Sequence, residues 1–174
     1  HEIVGTTNIG IGGMPGLSEM TLESVKVFVE KFNEVARKIH KHGFKLTYHN
    51  HHWEFAKHSG VRIMDYLADN LDKDATSFVL DTHWVQAGGG DVIDWMKKLA
   101  GRIDILHLKD YKIENGERAF AEIYEGNINF DGVLKTAEEI GVKHYVVEED
   151  TCPGDPFDSI RISADNLKAR GYLK

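Results

Sequence analysis

The chain has 174 residues, 41% hydrophobic and 28% charged, with a formal charge of −7; this is enough to bury a core in a single domain and excludes a disordered or fibrous protein. The negative balance argues against a nucleic-acid backbone or an anionic membrane as main partner, and suits a cationic ligand such as a divalent metal. With Cys152 as the lone cysteine, no apolar run near the ~20 residues of a membrane span, and no charged and apolar leader after His1, a cytoplasmic protein is expected.

In chain order, Glu2 to Thr7 reads as a short strand around Ile3 and Val4, opening into a Gly-rich loop from Gly10 to Gly16. The loop lacks the Lys-Ser/Thr ending of a phosphate loop, so nucleotide binding is not expected. Thr21 is a fair N-cap for a helix whose Val25, Phe28, Phe32, Val35 and Ile39 recur at steps of three and four, and Gly43 stops it. Phe44 to His49 is the next strand, and it breaks into His49, Asn50, His51 and His52. A second helix is predicted near Val61 to Leu71, with Ile63, Met64, Leu67 and Leu71 inward, then a strand from Ser77 to Leu80 that ends in Asp81.

Asp91 caps a helix with Val92, Trp95, Met96 and Leu99 inward; Gly101 ends it, and the strand from Ile103 to Leu106 ends in His107. Lys109 to Phe130, rich in charge and glycine, reads as a loop over the site. Asp131 caps a helix to Ile140, Gly141 closes it, and a strand from Lys143 to Val147 ends in Glu148. The last helix, near Asp158 to Arg170, is expected to pack back through Ile160, Ile162 and Leu167. Strands alternating with helices at a spacing of about 30 residues predict βαβ units and a parallel sheet of about five strands, buried on both faces.

Four of these strands end in His49, Asp81, His107 and Glu148, each able to ligate a metal and each at the same point of its repeat. In a parallel α/β barrel the strand C-termini converge on one face, which brings such residues to a single ion. Two imidazoles and two carboxylates form a mixed nitrogen and oxygen set suited to Mn²⁺ or Co²⁺ first, and to Mg²⁺ or Zn²⁺ as alternatives. Other readings stand beside this one. Asp81 could only cap the next segment, His107 could be a core histidine, Glu148 could pair with Lys109, and His51 rivals His49 as the ligand. Trp95 sits at helical spacing and reads as core, whereas Trp53 and Trp84 lie where a flat ring could line a sugar-sized pocket.

The stretches YHNHHWEF, FVLDTHWVQAGGGD, ILHLKD, EGNINF, VVEED and PFDSIRISADNLKARGYL together resemble the sugar phosphate isomerase/epimerase family with its xylose-isomerase-like TIM barrel. The resemblance runs from about residue 2 to the end and implies a fold of (β/α)8 type, of which this chain, read as one domain over 1–174, holds only the last five or so βα units. It further implies one divalent ion on His49, Asp81, His107 and Glu148, and a keto-sugar or polyol substrate met by Trp53, Glu54, His83, Trp84 and Asp110. The implied chemistry is isomerisation or epimerisation through an enediolate, with Glu148 as base and His51 or Lys109 returning the proton; expulsion of a β-hydroxyl would give dehydration.

Two departures from the family stand out. Its ketose 3-epimerases have glutamates at both ends of the ligand set, where this chain has His49 at the first position, and its inosose-dehydratase-like members carry a histidine-rich stretch there. The strands expected before Ile3 are absent, so either a homo-oligomer or a missing N-terminal segment is expected to cover the open edges. No phosphate-binding Arg cluster shows, which leans towards an unphosphorylated substrate. A three-zinc nuclease of the apurinic-site type would need further ligands and a basic face, and a non-catalytic sugar-binding barrel is the remaining alternative.

Overall fold

The computed structural model describes residues 1–16 and 19–173. In chain order it contains β1 (Asn8–Ile11), α1 (Leu22–His40), β2 (Lys45–His49), a 3₁₀ turn (Trp53–Phe55), β3 (Lys57–His58), β4 (Val61–Arg62), α2 (Ile63–Asn70), β5 (Thr76–Asp81) and α3 (Thr82–Ala87). There follow α4 (Val92–Lys98), β6 (Ile103–Leu108), β7 (Asp110–Glu114), β8 (Glu117–Ala121), α5 (Phe130–Ile140), β9 (His144–Val147) and α6 (Pro156–Ala169).

Five strands form one wholly parallel sheet in the order β1-β2-β5-β6-β9. Each strand lies beside the next in sequence, with one or more helices in every connection. The order never reverses, as it would in a doubly wound sheet; it is that of a segment of a barrel wall. The expected five-stranded parallel sheet is therefore present. His49 is level with Val79, and Asp81 with His107. Equivalent positions thus climb by two residues from β2 to β5 and from β6 to β9 and stay level from β5 to β6, the stagger that a tilted barrel wall imposes.

Helix α1 starts at Thr21, whose hydroxyl accepts from Ser24 N at 3.1 Å while Ser24 Oγ accepts from Thr21 N at 3.0 Å, a reciprocal cap. Its buried stripe is Val25, Val29, Phe32 and Ala36, with Phe28 and Ile39 packed alongside. Val35, expected inward, is 47% exposed; it lies one residue, about 100° of helical turn, from the centre of that stripe. In α2 and α4 the predicted inward residues Ile63, Met64, Leu67, Leu71, Val92, Trp95, Met96 and Leu99 are all buried.

Elsewhere the structure corrects the sequence reading. The first strand is not around Ile3 and Val4, which are fully exposed, but lies at Asn8–Ile11. Gly5 takes φ +69° and its N–H bonds to Glu2 O at 3.2 Å, so the chain turns where a strand was expected. The segment after Lys109 is not all loop: β7 and β8 form a hairpin closed by Asn115-Gly116, at φ +52° and +82°. Asn-Gly is the pair that such a two-residue turn favours. Helix α5 is capped by Asn129, whose Oδ1 accepts from Gly132 N at 3.1 Å, two residues before the expected Asp131.

On α6, Ile160 and Ile162 face out, and the inward face is Ser159, Ser163 and Leu167. Ser159 Oγ donates to Glu122 Oε1 at 2.9 Å and Ser163 Oγ accepts from Ile123 N at 3.0 Å, so this helix docks through hydroxyls. Nor is the sheet covered throughout: all six residues of β5 are buried, whereas all four of β9 are exposed. Among the described residues no helix is long and apolar enough to cross a membrane.

Candidate metal centre

The C-terminal ends of β2, β5, β6 and β9 deliver His49, Asp81, His107 and Glu148 to one place, with one ligand atom from each lying within 4.8 Å of the others. Asp81 Oδ2 is the hub, 3.3 Å from His49 Nε2 and 3.7 Å from His107 Nδ1. His107 Nδ1 lies 2.5 Å from Glu148 Oε2. The ring N–H and the oxygen are not aligned for a hydrogen bond, and both atoms are buried without a hydrogen-bond partner.

Four such donors turned towards a shared centre, with His107 Nδ1 and Glu148 Oε2 left unpartnered there, fit a divalent ion. Bonds of ~2.0–2.2 Å set neighbouring ligands ~3 Å apart and opposed ligands ~4.2 Å apart, so only a small contraction is needed. The cluster is therefore compatible with a divalent metal site. Among the described residues no other group of three or more such side chains is gathered in this way.

The charges are coupled. Burial alone would raise the Asp81 carboxyl, but His107, His49 and Lys109 outweigh it and hold Asp81 well below the usual carboxylate range. Burial would lower His107, yet Asp81 and Glu148 raise it to about 9. The charged His107 ring keeps the Glu148 carboxyl low. Lys109 is a fully buried ammonium 2.6 Å from Asp150 Oδ1 and 3.8 Å from both Asp81 Oδ2 and Glu148 Oε2. Its Nζ lies over the rings of Trp84 and Phe120, at 5.0 and 5.1 Å.

Asp81 is both a helix cap and a member of the cluster. Its Oδ1 accepts from Trp84 N at 3.0 Å, capping α3, a helix the sequence reading did not anticipate, while Oδ2 faces the cluster. Asn50, also not anticipated, holds Asp81 from behind by accepting from its N–H at 2.9 Å. Thr82 Oγ1 donates towards Lys109 O at 2.8 Å and accepts from Lys109 N at 3.0 Å, locking β5 to β6 beside the ammonium.

The rivalry of His49 and His51 has a geometric outcome: His49 is in the group of four, and His51 stands one ring further out, 4.7 Å from His49 and 5.6 Å from Trp84. Burial, with the charges of His49 and Lys109, lowers His51 to about 4, so it is a neutral imidazole at pH 7. Trp84 is half-buried, and the His52 ring lies between it and Trp53, at 5.1 and 4.3 Å; Trp53 is 41% exposed.

Three residues expected at a substrate are turned elsewhere. Glu54 is fully buried, accepting from Tyr48 Oη at 2.6 Å and from His51 N at 2.9 Å, which fixes the histidine loop. Asp110 is fully buried with both oxygens filled by the N–H groups of Tyr111, Tyr124, Gly126 and Ile128, so it organises the loop after the hairpin. His83 is buried against Asp110 O, Phe120 and Tyr111. Glu54 and Asp110 thus have their oxygens taken by other groups, and His83 is enclosed by its neighbours.

A family model described as the xylose isomerase-like TIM barrel matches residues 3–170. The inosose dehydratase of Clostridium perfringens (strain ATCC 13124) is 24% identical across the whole of this chain, which spans 61% of that relative's length. A sugar phosphate isomerase/epimerase from Parabacteroides distasonis superposes with a TM-score of 0.82 at 28% identity, covering 98% of this chain and 60% of that one. The probable 3-DHS dehydratase of Bacillus anthracis shares the fold, with a TM-score of 0.73 at 16% identity over 95% of this chain and 65% of that one.

Proposed function

Since this chain belongs to the xylose isomerase-like TIM barrel family, we propose that it is the metal-binding part of an enzyme that deprotonates the carbon beside the carbonyl of a keto-sugar or polyol-derived ketone, with loss of a β-hydroxyl as water. The observation that carries this reading is one ionised carboxylate, Glu148, facing one buried ammonium, Lys109, at 3.8 Å beside the ligand cluster. His49, Asp81, His107 and Glu148 would hold a divalent ion, Mn²⁺ or Co²⁺ by preference, which supplies Lewis acidity to a carbonyl oxygen and so makes the neighbouring C–H more acidic.

The chain's own groups then divide the proton work. Glu148 is 35% exposed at its side chain and takes the proton from carbon. Lys109, held by Asp150 and walled in by Trp84 and Phe120, gives a proton to the departing hydroxyl. The C–H and C–O bonds break, a C=C bond forms, water leaves, and the two side chains regain their charges by exchange with solvent. His51, neutral at pH 7, is a poor acid here. Asp81 has both oxygens engaged and serves as anchor. Trp84 and the exposed face of Trp53 would line the path for a sugar-sized ring.

Isomerisation or epimerisation is the second reading, supported by the likeness to the P. distasonis isomerase/epimerase; it begins with the same deprotonation and differs in that Lys109 returns the proton to carbon. The inosose dehydratase relatives, and a histidine, His49, at the first of the four strand ends, support dehydration. Either reading needs a cover for edge strands β1 and β9, from a second copy or from further strands, because Tyr145, Val146 and Val147 are otherwise left exposed.

The test is incubation of the Mn²⁺- or Co²⁺-loaded chain with inososes and keto-sugars in D₂O, followed by mass spectrometry after metal removal. Metal-dependent water loss is the expected result, and deuterium uptake at the same mass skeleton would select isomerisation. Absence of exchange at every carbon beside a carbonyl, with metal bound, would overturn both.

A further inference from the structure

The run Gly88-Gly89-Gly90 after α3 takes no part in the reaction above, yet two of its members have no room for a side chain because of one ring, that of Phe55. A Cβ at Gly88 would stand 2.5 Å from Phe55 Cγ and 2.7 Å from Phe55 Cβ, and one at Gly90 would stand 2.7 Å from Phe55 Cε1. Gly89, between them, takes φ +80° and has open space where its Cβ would be. The backbone of Gly88 and Gly90 is thus a seat for a buried ring, which Trp95 meets edge-on with centroids 5.4 Å apart.

Each side of this contact is one hydrogen bond from an aromatic residue beside the metal centre. Gly88 N donates to Trp84 O at 3.0 Å, while Phe55 N donates to His52 O and Ala56 N to Trp53 O, both at 3.1 Å. The His52 and Trp84 rings lie 5.1 Å apart, with Trp53 4.3 Å from His52. Glu54 ties the histidine loop to β2 through Tyr48 Oη; the glycine seat ties it to α3. A side chain at Gly88 would meet Phe55 at Cβ and Cγ, next to the main chain, so turning the ring gives no relief and one of the two backbones must shift.

We infer that Gly88 and Phe55 are positioning residues for the substrate: their contact sets the spacing of Trp84 from His52 and Trp53, and with it the room offered to a sugar-sized ring. The inference rests on the reading that these aromatic residues line the substrate path. His49, Asp81, His107 and Glu148 stand at the strand ends, so a displaced aromatic wall changes how the ring is held and leaves the metal ligands in place. The expected signature is a raised KM with kcat retained, the mark of lost binding that ground state and transition state share.

The experiment labels the Mg²⁺-loaded chain with fluorotryptophan, assigns the fluorine resonances by Trp53→Phe, Trp84→Phe and Trp95→Phe, and pairs the spectra with kinetics on the inosose or keto-sugar that is turned over. Gly88→Ala should shift the Trp84 and Trp53 resonances and raise KM about tenfold, with kcat within about twofold of wild type. Gly89→Ala strains a left-handed backbone without meeting Phe55, and should lower the melting temperature while both resonances and KM keep their wild-type values. Phe55→Leu empties part of the seat without a clash; it should move the same two resonances, and it decides the matter where Gly88→Ala does not fold. Unmoved Trp53 and Trp84 resonances in these variants, or a KM raised as much by Gly89→Ala as by Gly88→Ala, overturn the inference. The resonances need no turnover, so a chain that converts no substrate sinks the enzymatic reading alone, and unmoved resonances in an active chain sink this one alone.

Discussion

Strands β5 and β9 each end in a carboxylate of the same cluster, yet they are built for different work. In β5 all six residues are buried, and Asp81 is fully enclosed, held by Asn50, by the α3 N-terminus and by His107, His49 and Lys109. In β9 all four residues are exposed, and Glu148 follows on a side chain 35% exposed. A carboxylate that cannot move is an anchor; one at a free edge is available to exchange a proton. On the proposed reading, the same residue chemistry acquires two roles from its place in the sheet.

Removing the anchor should have the largest effect. Asp81→Asn removes the buried one of the two carboxylates that Lys109 and His107 share, leaving them Glu148 and, for Lys109, Asp150, and should lower stability by about 3 kcal/mol. It should also weaken metal binding by more than the roughly 10–100-fold typical of losing an outer partner. Denaturant unfolding and metal titration of the same variant would check both, and a stable, metal-replete Asp81→Asn would break the contrast.

Glu148→Gln should lower turnover on the order of 10²–10⁴-fold, with stability changed by less than about 1 kcal/mol. The readout is kcat beside the melting curve, and full turnover would take Glu148 out of the base role.

A third effect belongs to the ring between the two carboxylates. In the metal-free chain His107 is raised to about 9, so its stabilising ion pairs are complete below its unfolded value near ~6.5 and are lost as pH rises through about 9. A metal must displace that proton. Metal affinity should therefore climb with pH up to about 9, and uptake at pH 7 should release about one proton, measurable by calorimetry in buffers of different ionisation heat.

The smallest effect should lie at the edge itself. Val146→Thr on β9 is expected to shift stability by no more than about 0.5 kcal/mol, against about 2–5 kcal/mol for Leu80→Ala on β5. Comparable losses would show that β9 is as enclosed as β5.

The parts of this picture carried by strong local patterns could be read from the sequence. The apolar rows of α2 and α4 and the polar residues that close four strands each follow from one repeating unit, and the structure places His49, Asp81, His107 and Glu148 together. What escaped depends on direction and on distant partners. Thr21 marks the start of α1, but its many apolar residues leave the buried stripe undecided, and Val35 fell outside it. Glu54 and Asp110 sit near ligands in sequence, yet backbone N–H groups, and for Glu54 also the Tyr48 hydroxyl, claim their oxygens. The Asn115-Gly116 turn was a legible hairpin signal inside a segment read as loop, and with it went Phe120. Ser159 and Ser163 show that a helix may dock by hydroxyls, which no hydrophobic period announces.

The central claim is that four strand ends hold one divalent ion, and it is tested most directly by determining bound metal per chain after purification without chelator and supply of Mn²⁺ or Co²⁺. The account predicts nearly one ion per chain in wild type, lost in His49→Ala and kept in His51→Ala, with both variants folded by circular dichroism. Metal that is never taken up, or that is lost in His51→Ala and retained in His49→Ala, would contradict it.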